Sequence, residues 1–175
     1  YQHGKKHRID AIQLPTLVTD YYTQYHYKGV LHREDGPAHI SELWERWYYN
    51  GKIHNTIGPA LIEYDSSKNI IASYWYKHGQ KHRNNDLPAE CTLDKQVWYL
   101  NGLIHRDNDL PAYVSIQCNK WYHNGRLHRN NDLPAVITAD SSKWWYRNGQ
   151  LHRENDAPAV IDVSGRQEWY RLGYK

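Results

Sequence analysis

A short pattern of apolar and polar residues recurs along the whole chain. In its best copies it reads Trp-Tyr, a variable residue, Asn-Gly, a second variable residue, Leu or Ile, His-Arg, and then Asp-Leu-Pro-Ala after two further residues. The clearest copies begin at Trp47, Trp75, Trp98, Trp121 and Trp145, and Tyr25 begins a divergent copy. Self-similarity at a fixed period of about 20 to 50 residues is the signature of repeat architectures.

The glycine of the Asn-Gly position measures the period. Its successive copies are 25, 22, 28, 23, 23, 24 and 24 residues apart, beginning at Gly4 and ending at Gly173. Residues 1–175 are therefore predicted to form one array of about seven units of roughly 24 residues. The array starts and stops inside a unit, because Gln2 to Gly4 lack a preceding Trp-Tyr and Trp169 lacks the His-Arg that should follow. We expect the chain to be a piece of a larger protein.

Each unit is predicted to contain two short antiparallel strands. Asn-Gly dipeptides between β-prone runs favour a type I′ hairpin, since both turn residues need positive φ. A second strand follows the proline, as after Pro134, and turns back near Asp140 into Trp144. No window combines helical periodicity with helix caps. The predicted fold is all-β, with tandem antiparallel β-hairpin repeats that form an elongated meander sheet or a solenoid.

The hairpin register assigns side chains to two faces. With a two-residue turn at 148–149, Tyr146 lies opposite Leu151, and Trp145 lies opposite His152. Side chains that lie directly opposite share a face, so one face carries a Tyr–Leu row and the other a Trp–His row. We expect each His ring to stack on its cross-strand Trp, with equivalent residues of neighbouring units roughly 10 Å apart.

Composition and charge narrow the functional classes. The chain has 8 Trp and 16 Tyr but no Phe, so every aromatic side chain carries a polar group and suits a half-exposed surface. A balance of 22 Lys and Arg against 19 Asp and Glu leaves a net charge of +3, which is low for a dedicated binder of phosphate backbones. No apolar run approaches the roughly 18 residues of a transmembrane helix, and no secretory signal is visible. We expect a cytoplasmic protein.

The Trp–His face and the arginines beside it form the candidate binding surface, because Trp and Arg dominate the energetics of protein interfaces. The candidate binding residues are Trp47, Trp75, Trp98, Trp121, Trp145, His82, His105, His128, His152, Arg83, Arg106, Arg129 and Arg153. A basic row beside aromatic rings also suits phosphates and nucleic-acid bases. Alternatively, the aspartates three residues further on pair locally with the arginines or cap the turn backbone. These aspartates are Asp86, Asp109, Asp132 and Asp156.

The sequence predicts neither a metal site nor a catalytic site. Zinc needs imidazole nitrogens that converge to about 2.0 to 2.1 Å from one ion, whereas neighbouring histidines of the row stand roughly 10 Å apart. The Asn-Asp loops offer too few carboxylates for calcium. An active site needs one singular cluster, and here the notable residues recur in every unit. We expect no metal, no cofactor and no enzymatic activity, although a His row that gains charge near pH 6 to 6.5 suggests pH-dependent binding or assembly.

The unit resembles a divergent MORN-type β-hairpin repeat. The resemblance rests on a unit of roughly 23 residues with Trp-Tyr, a glycine turn and a second strand, and it covers nearly all of the chain. The version with His-Arg and Asp-Leu-Pro-Ala is similar to tandem repeats in proteins of large DNA viruses and some bacteria. The resemblance implies a scaffold or binding array, in the cytoplasm or within a viral assembly. It assigns no ligand site to individual residues of this chain.

Two functional hypotheses follow. The first is a non-enzymatic structural or scaffolding repeat protein that mediates protein–protein interaction through the elongated Trp/His/Arg surface. Its partner is another protein or a second copy, because open sheet edges are templates for β-pairing. The alternative is an anionic-ligand module that binds nucleic acid or phospholipid headgroups through the arginine row. Binding to phosphates should weaken steeply between about 50 and 200 mM salt, and this separates the two hypotheses.

Overall fold

A computed structural model describes residues 14–175, and the first copy of the pattern, with Gly4, His7 and Arg8, lies outside the described residues. Within residues 14–175 the fold is all-β: 26 short antiparallel strands and no helix. The predicted fold class is confirmed. The strands belong to one long meander sheet and six separate two-stranded ribbons.

The main sheet has 14 strands, which lie side by side in chain order. They are β1 (Leu17–Val18), β2 (Tyr22–Gln24), β5 (His39–Ser41), β6 (Trp44–Arg46), β9 (Leu61–Tyr64), β10 (Ile70–Tyr74), β13 (Glu90–Thr92), β14 (Lys95–Val97), β17 (Tyr113–Ser115), β18 (Cys118–Lys120), β21 (Val136–Thr138), β22 (Lys143–Trp144), β25 (Val160–Ile161) and β26 (Gln167–Glu168). All neighbouring pairs are antiparallel, and β1 and β26 lie at the two ends of the sheet.

The six ribbons each consist of the two strands on either side of a turn glycine. They are β3 (His26–Tyr27) with β4 (Val30–Leu31), β7 (Tyr48–Tyr49) with β8 (Lys52–Ile53), β11 (Tyr76–Lys77) with β12 (Gln80–Lys81), β15 (Tyr99–Leu100) with β16 (Leu103–Ile104), β19 (Tyr122–His123) with β20 (Arg126–Leu127), and β23 (Tyr146–Arg147) with β24 (Gln150–Leu151). A unit therefore has four short strands, two in the main sheet and two in a ribbon. The expected two strands per unit was too few, because the chain leaves the main sheet at each Trp.

The ribbon turns have the predicted geometry. Asn124 and Gly125 have φ of 47° and 78°, and the other Asn-Gly turns are similar. Tyr146 pairs with Leu151 as expected from a two-residue turn. Asn and Gly are the residues that adopt this left-handed conformation at least cost, which explains why the dipeptide recurs at this position.

The two kinds of hairpin lie at opposite ends of the main-sheet strands. The strand after each proline leads to a tip, as at 42–43, and the return strand leads back to a Trp and then into a ribbon. Neighbouring ribbons are joined by one backbone hydrogen bond, in which the turn glycine donates to the preceding ribbon, as from Gly125 N to Ile104 O at 2.8 Å. Each unit is thus hydrogen-bonded to the units on either side of it, which is the arrangement typical of repeat proteins.

The buried residues are small and recur once per unit. The alanine after each proline is fully buried, and the largest side chain with less than 2% exposure is Val97. These alanines are Ala38, Ala60, Ala89, Ala112, Ala135 and Ala159. In the first described unit the residue after the proline is Thr16 instead. Each of the alanines accepts the Trp or Tyr amide of its own unit, as Ala112 O accepts from Trp98 N at 2.8 Å. Stability therefore rests on repeated contacts between units rather than on one large core.

Candidate interaction site

Each predicted Trp lies at the bend where the chain passes from the main sheet into a ribbon. The rings of Trp98, Trp121 and Trp145 are buried, with 7%, 8% and 6% exposure, whereas Trp47 and Trp75 are half-buried. The arginine of the same unit covers the ring, with its guanidinium carbon 3.9 Å from the ring centre for Arg129 on Trp121. The same contact is made by Arg83 on Trp75, Arg106 on Trp98 and Arg153 on Trp145. Cation–π contact and shared burial therefore hold Trp and Arg together.

The predicted pairing of Arg with Asp is correct in its chemistry but wrong in its partner. Arg129 forms two hydrogen bonds of 2.8 Å to Asp109, which belongs to the preceding unit, and not to Asp132 three residues further on. Arg106 pairs in the same way with Asp86, and Arg153 pairs with Asp132. The Arg Nη1 also donates to the proline carbonyl of its own loop, as in Arg129 to Pro134. Each of these arginines thus joins two units.

The indole N–H adds a second bond across the same junction. Trp121 Nε1 donates to the carbonyl of Asp109 at 2.9 Å, so one aspartate receives both the Trp and the Arg of the following unit. Trp98, Trp145 and Trp169 donate likewise to Asp86, Asp132 and Asp156. We call this arrangement the Asp clamp. The guanidinium lowers the pKa of Asp86 and Asp109 against the opposing effect of partial burial, which keeps both carboxylates ionised.

Loop length decides whether a clamp forms. The loops 82–88, 105–111, 128–134 and 152–158 have four residues between Arg and Pro, and the two residues before Leu or Ala are left-handed, as in Asn108 (φ 59°) and Asp109 (φ 54°). The loops 32–37 and 54–59 are one residue shorter and have glycine where the long loops have Asp-Leu or Asp-Ala. There Arg33 pairs with Asp35 of its own loop, and Asn55 bonds to Pro59.

The histidines lie opposite the predicted Trp but do not stack on it. His128 N donates to Trp121 O at 3.1 Å, which confirms the expected pairing of the backbones. The His128 ring instead accepts at Nδ1 from the backbone N–H of Asn148, in the turn of the next unit. The same bond is made to His32, His54, His82, His105 and His152. Because Nδ1 accepts, the neutral ring carries its proton on Nε2, which faces an oxygen such as Asp107 Oδ1 or Asn130 Oδ1.

The candidate residues are therefore brought together at the junctions between units rather than along an open face. Arg106, Arg129 and Arg153 have only 15%, 14% and 19% of their side chains exposed. Shallow clefts lie between consecutive loops, and one of them is lined by Asp132, Trp145 and Arg153. The binding role of these residues stays a prediction, while their contacts show that they couple each unit to the next.

An exposed surface lies next to this row, on the stacked ribbons. It consists of the residues just before and just after each turn dipeptide. They are Tyr27, Val30, Tyr49, Lys52, Lys77, Gln80, Leu100, Leu103, His123, Arg126, Arg147, Gln150, Arg171 and Tyr174. We call these residues the ribbon surface. All are exposed, and none is acidic.

Among residues 14–175, one unit has a buried charged cluster that the repeat pattern does not predict. Glu90 has 5% exposure and pairs with Lys81 and with Lys95, whose Nζ lies 2.8 Å from Oε1. Burial raises the pKa of Glu90, but hydrogen bonds from the two lysines outweigh this and lower it. Burial and the charge of Glu90 raise the pKa of Tyr99 to about 12. The signal was present in the sequence, since three other units have aliphatic residues at both positions, such as Leu127 and Val136.

Residues 14–175 contain no group of three or more His, Cys, Asp or Glu side chains placed to hold a metal ion. Nor does this part of the chain form a helix of the length and apolarity that crossing a membrane requires. The chain matches no protein-family model, no curated protein and no solved structure. The resemblance to MORN-type repeats therefore stays a prediction.

Proposed function

We propose that the chain is a non-enzymatic scaffolding array that mediates protein–protein interaction along its elongated surface. The observation that supports this most directly is the repetition of one set of contacts at successive junctions. Indole to carbonyl, guanidinium to carboxylate and turn N–H to imidazole join unit to unit. The bond from the turn N–H to the imidazole recurs at every described junction, and the other two recur after the long loops. A stack coupled in this way holds its exposed side chains at a regular spacing, which suits a platform for an extended partner.

The same contacts count against binding of phosphates by the arginine row. A phosphate that approached Arg129 would have to displace Asp109 from a two-bonded pair and the guanidinium from the face of Trp121. Charge-assisted bonds of this kind are about twice as strong as neutral ones. We therefore infer that these arginines stabilise the contacts between units rather than bind an external anion.

A second candidate function, binding of an anionic ligand, is favoured by a different set of residues. The ribbon surface carries Lys52, Lys77 and Arg126, which form no ion pair among residues 14–175. Tyr27 and Tyr49 add aromatic rings to the same surface. Cations interleaved with aromatic rings are typical of surfaces that bind single-stranded nucleic acid.

The two functions are separated by measuring both kinds of binding on one preparation. A random-peptide display library is panned against the immobilised chain, while the anisotropy of a labelled single-stranded oligonucleotide and the retention of vesicles with anionic lipids are measured in parallel. A scaffold selects peptides whose affinity changes less than about tenfold between about 50 and 200 mM salt, because few counterions are released. The scaffold function would be contradicted by a different result: the panning selects no peptide, and the chain binds the oligonucleotide or the vesicles with an affinity that falls by about a thousandfold over this range.

A further inference from the structure

The rim opposite the ribbons is acidic and apolar. It consists of the tips of the main-sheet hairpins, and we call it the tip rim. Six of its seven tips carry a carboxylate, and most carry one exposed apolar side chain. The carboxylates are Asp20, Glu42, Asp65, Asp94, Asp140 and Asp162. The apolar side chains are Tyr21, Leu43, Leu93, Ile116 and Val163, with exposures of 82%, 47%, 82%, 83% and 68%.

Hydrogen bonds within the turns lower the pKa of four of these carboxylates, those of Asp65, Asp94, Asp140 and Asp162. A hydrogen bond from Asn69 lowers the pKa of Asp65, and one from Ser164 lowers that of Asp162. Four cations lie in or beside the tips. Lys95 and Arg166 pair with Glu90 and Glu168, Lys68 donates to the carbonyl of Glu42, and Lys143 follows the tip that carries Asp140. The six carboxylates outnumber Lys68 and Lys143, the two cations that pair with no carboxylate among the described residues. The tip rim therefore presents net negative charge along its length.

The ribbon surface is its electrostatic complement. Its cations are Lys52, Lys77, Arg126, Arg147 and Arg171, of which Arg147 is bonded to Glu154 at 2.6 Å. Exposed apolar side chains lie between them, with exposures of 53% for Tyr27, 43% for Val30 and 51% for Leu103. Each surface thus combines exposed apolar groups with one sign of charge, and the signs are opposite.

We propose that the ribbon surface of one copy binds the tip rim of a second copy, so that copies associate side by side. Both surfaces belong to the same units, so their charged groups lie at multiples of the same unit spacing, with a cation at five of the seven turns and a carboxylate at six of the seven tips. Several weak ion pairs can then form at once in a single register, and linked contacts raise the overall affinity far above that of one contact. Such a contact joins two different surfaces, so it extends into an open row of copies instead of closing into a dimer.

This inference rests on the proposed scaffold function and names its partner. It differs from pairing through the end strands β1 and β26, because the surfaces involved are the long sides of the array. The experiment therefore has to reverse charge on each long side while leaving the end strands intact.

Sedimentation velocity of the purified chain and of two charge-reversed variants tests the proposal at about 50 mM salt, where exposed charges are weakly screened. The ribbon variant carries Lys52→Glu, Lys77→Glu and Arg126→Glu, and the tip variant carries Asp20→Lys and Glu42→Lys. Each variant alone should associate at least about tenfold more weakly than the unmodified chain. Their mixture should regain association, because each variant then offers the other a surface of opposite charge. Thr56→Glu, at an exposed position of the loop 54–59 that belongs to neither surface, is the matched control and should change nothing.

Three outcomes would overturn the proposal. The unmodified chain could stay monomeric, both variants could associate as well as the unmodified chain, or the mixture could fail to regain association. The second would indicate contact through the end strands. A chain that stays monomeric and binds oligonucleotide through the ribbon surface would refute the scaffold function as well, whereas a monomer that still selects peptides would refute only the side-by-side contact. Far-UV circular dichroism of each variant verifies that it has folded.

Discussion

The long-loop units and the short-loop units differ by one residue between Arg or Asn and Pro, and this difference changes how the units are joined. After the long loop 105–111, the following unit contributes Trp121 and Arg129 to an Asp clamp. After the short loop 54–59, Trp75 forms no such bond among the described residues, and Arg83 has no carboxylate partner there. Trp121 is buried, while Trp75 is only half-buried.

The comparison shows what the extra residue does. It allows two consecutive left-handed residues, as at Asn108 and Asp109, and this turn directs the Asp carbonyl and carboxylate toward the next unit. In the short loop 32–37 the acidic residue Asp35 bonds to Arg33 of the same loop. The short loop still bonds to the next unit through its backbone, as Arg33 N donates to Tyr48 O at 3.1 Å, whereas the long loop adds the indole and guanidinium bonds of the Asp clamp.

The largest difference is expected from removing the Trp itself. Trp121→Ala should lower the free energy of unfolding by about 3 to 5 kcal/mol, because it deletes a buried ring and leaves the Asp109 carbonyl without its donor. Trp75→Ala removes a half-buried ring with no clamp and should cost about 1 to 3 kcal/mol. Urea denaturation of both variants measures the contrast. Equal losses would show that the clamp contributes nothing beyond packing.

The second prediction concerns the buried ion pairs of Glu90 in the first long-loop unit. Glu90→Ala should cost about 1 to 3 kcal/mol, since it leaves Lys81 and Lys95 partly buried without their partner. The double variant Glu90→Val, Lys81→Leu copies Val136 and Leu127 of a later unit and should be at least as stable as the unmodified chain.

The same carboxylate predicts a pH dependence. The folded pKa of Glu90 lies below its ordinary value of 4.5, so the stability it supplies is present above pH 4.5 and is lost as pH falls through the folded pKa. The double variant lacks this loss. If the free energy of unfolding of the double variant falls at acidic pH as much as that of the unmodified chain, the lysines do not lower the pKa of Glu90 as described.

The ion pair of the Asp clamp can be removed by deleting one exposed carboxylate. Asp109→Ala should lower the free energy of unfolding by about 0.2 to 1 kcal/mol, the range of exposed ion pairs, and its double-mutant cycle with Arg129→Ala should give a coupling energy of similar size. Asp156 occupies the same left-handed loop position and pairs with no arginine in the described part of the chain. Asp156→Ala is therefore the matched control and should show only the smaller cost of Ala at positive φ. A loss at Asp156 as large as that at Asp109 would point to the turn rather than the clamp.

The smallest effect is expected in a short-loop unit, where His54 and His78 stack at 4.3 Å. Burial, and then the neighbouring His78, lower the pKa of His54 below its ordinary value of 6.5. The folded state thus binds fewer protons, and stability declines as pH falls below 6.5. His78→Asn restores the residue that other turns use and should raise stability at acidic pH by roughly a few tenths of a kcal/mol. Thermal unfolding at pH 7.5 and 5.5 measures this, and an unaltered difference between the two would contradict it.

The sequence was sufficient to predict the fold class and the turns within a unit, but not the separation of each unit into two main-sheet strands and a ribbon. The Asn-Gly turns fixed the pairing of Tyr146 with Leu151 because only a two-residue turn with positive φ suits them. The strand after Pro134 and its return to Trp144 were also predictable from local chemistry. These features depend on residues close together in the chain.

The contacts of the candidate site were not predictable in the same way, because they depend on how units stack. From the sequence, Asp132 is three residues from Arg129, and Asp109 is 20 away, so the nearer partner is favoured. The left-handed turn directs the nearer carboxylate away from its own arginine and toward Arg153. The hydrogen bonds of the His rings could not be predicted for the same reason, since the donor is a backbone N–H in the turn of the next unit.

The central claim, that one extra loop residue adds the Asp clamp between a unit and the next, is tested most directly by lengthening a short loop. Replacing residues 55–58, Asn-Thr-Ile-Gly, by Arg-Asn-Asn-Asp-Leu gives the loop 54–59 the sequence of a long loop. Hydrogen exchange of the Trp75 indole N–H is then compared with that of the unmodified chain by NMR. The account predicts slower exchange at Trp75 and a gain of about 1 to 2 kcal/mol in stability from the new hydrogen bond and ion pair. Unchanged exchange at Trp75 in a folded variant would contradict it.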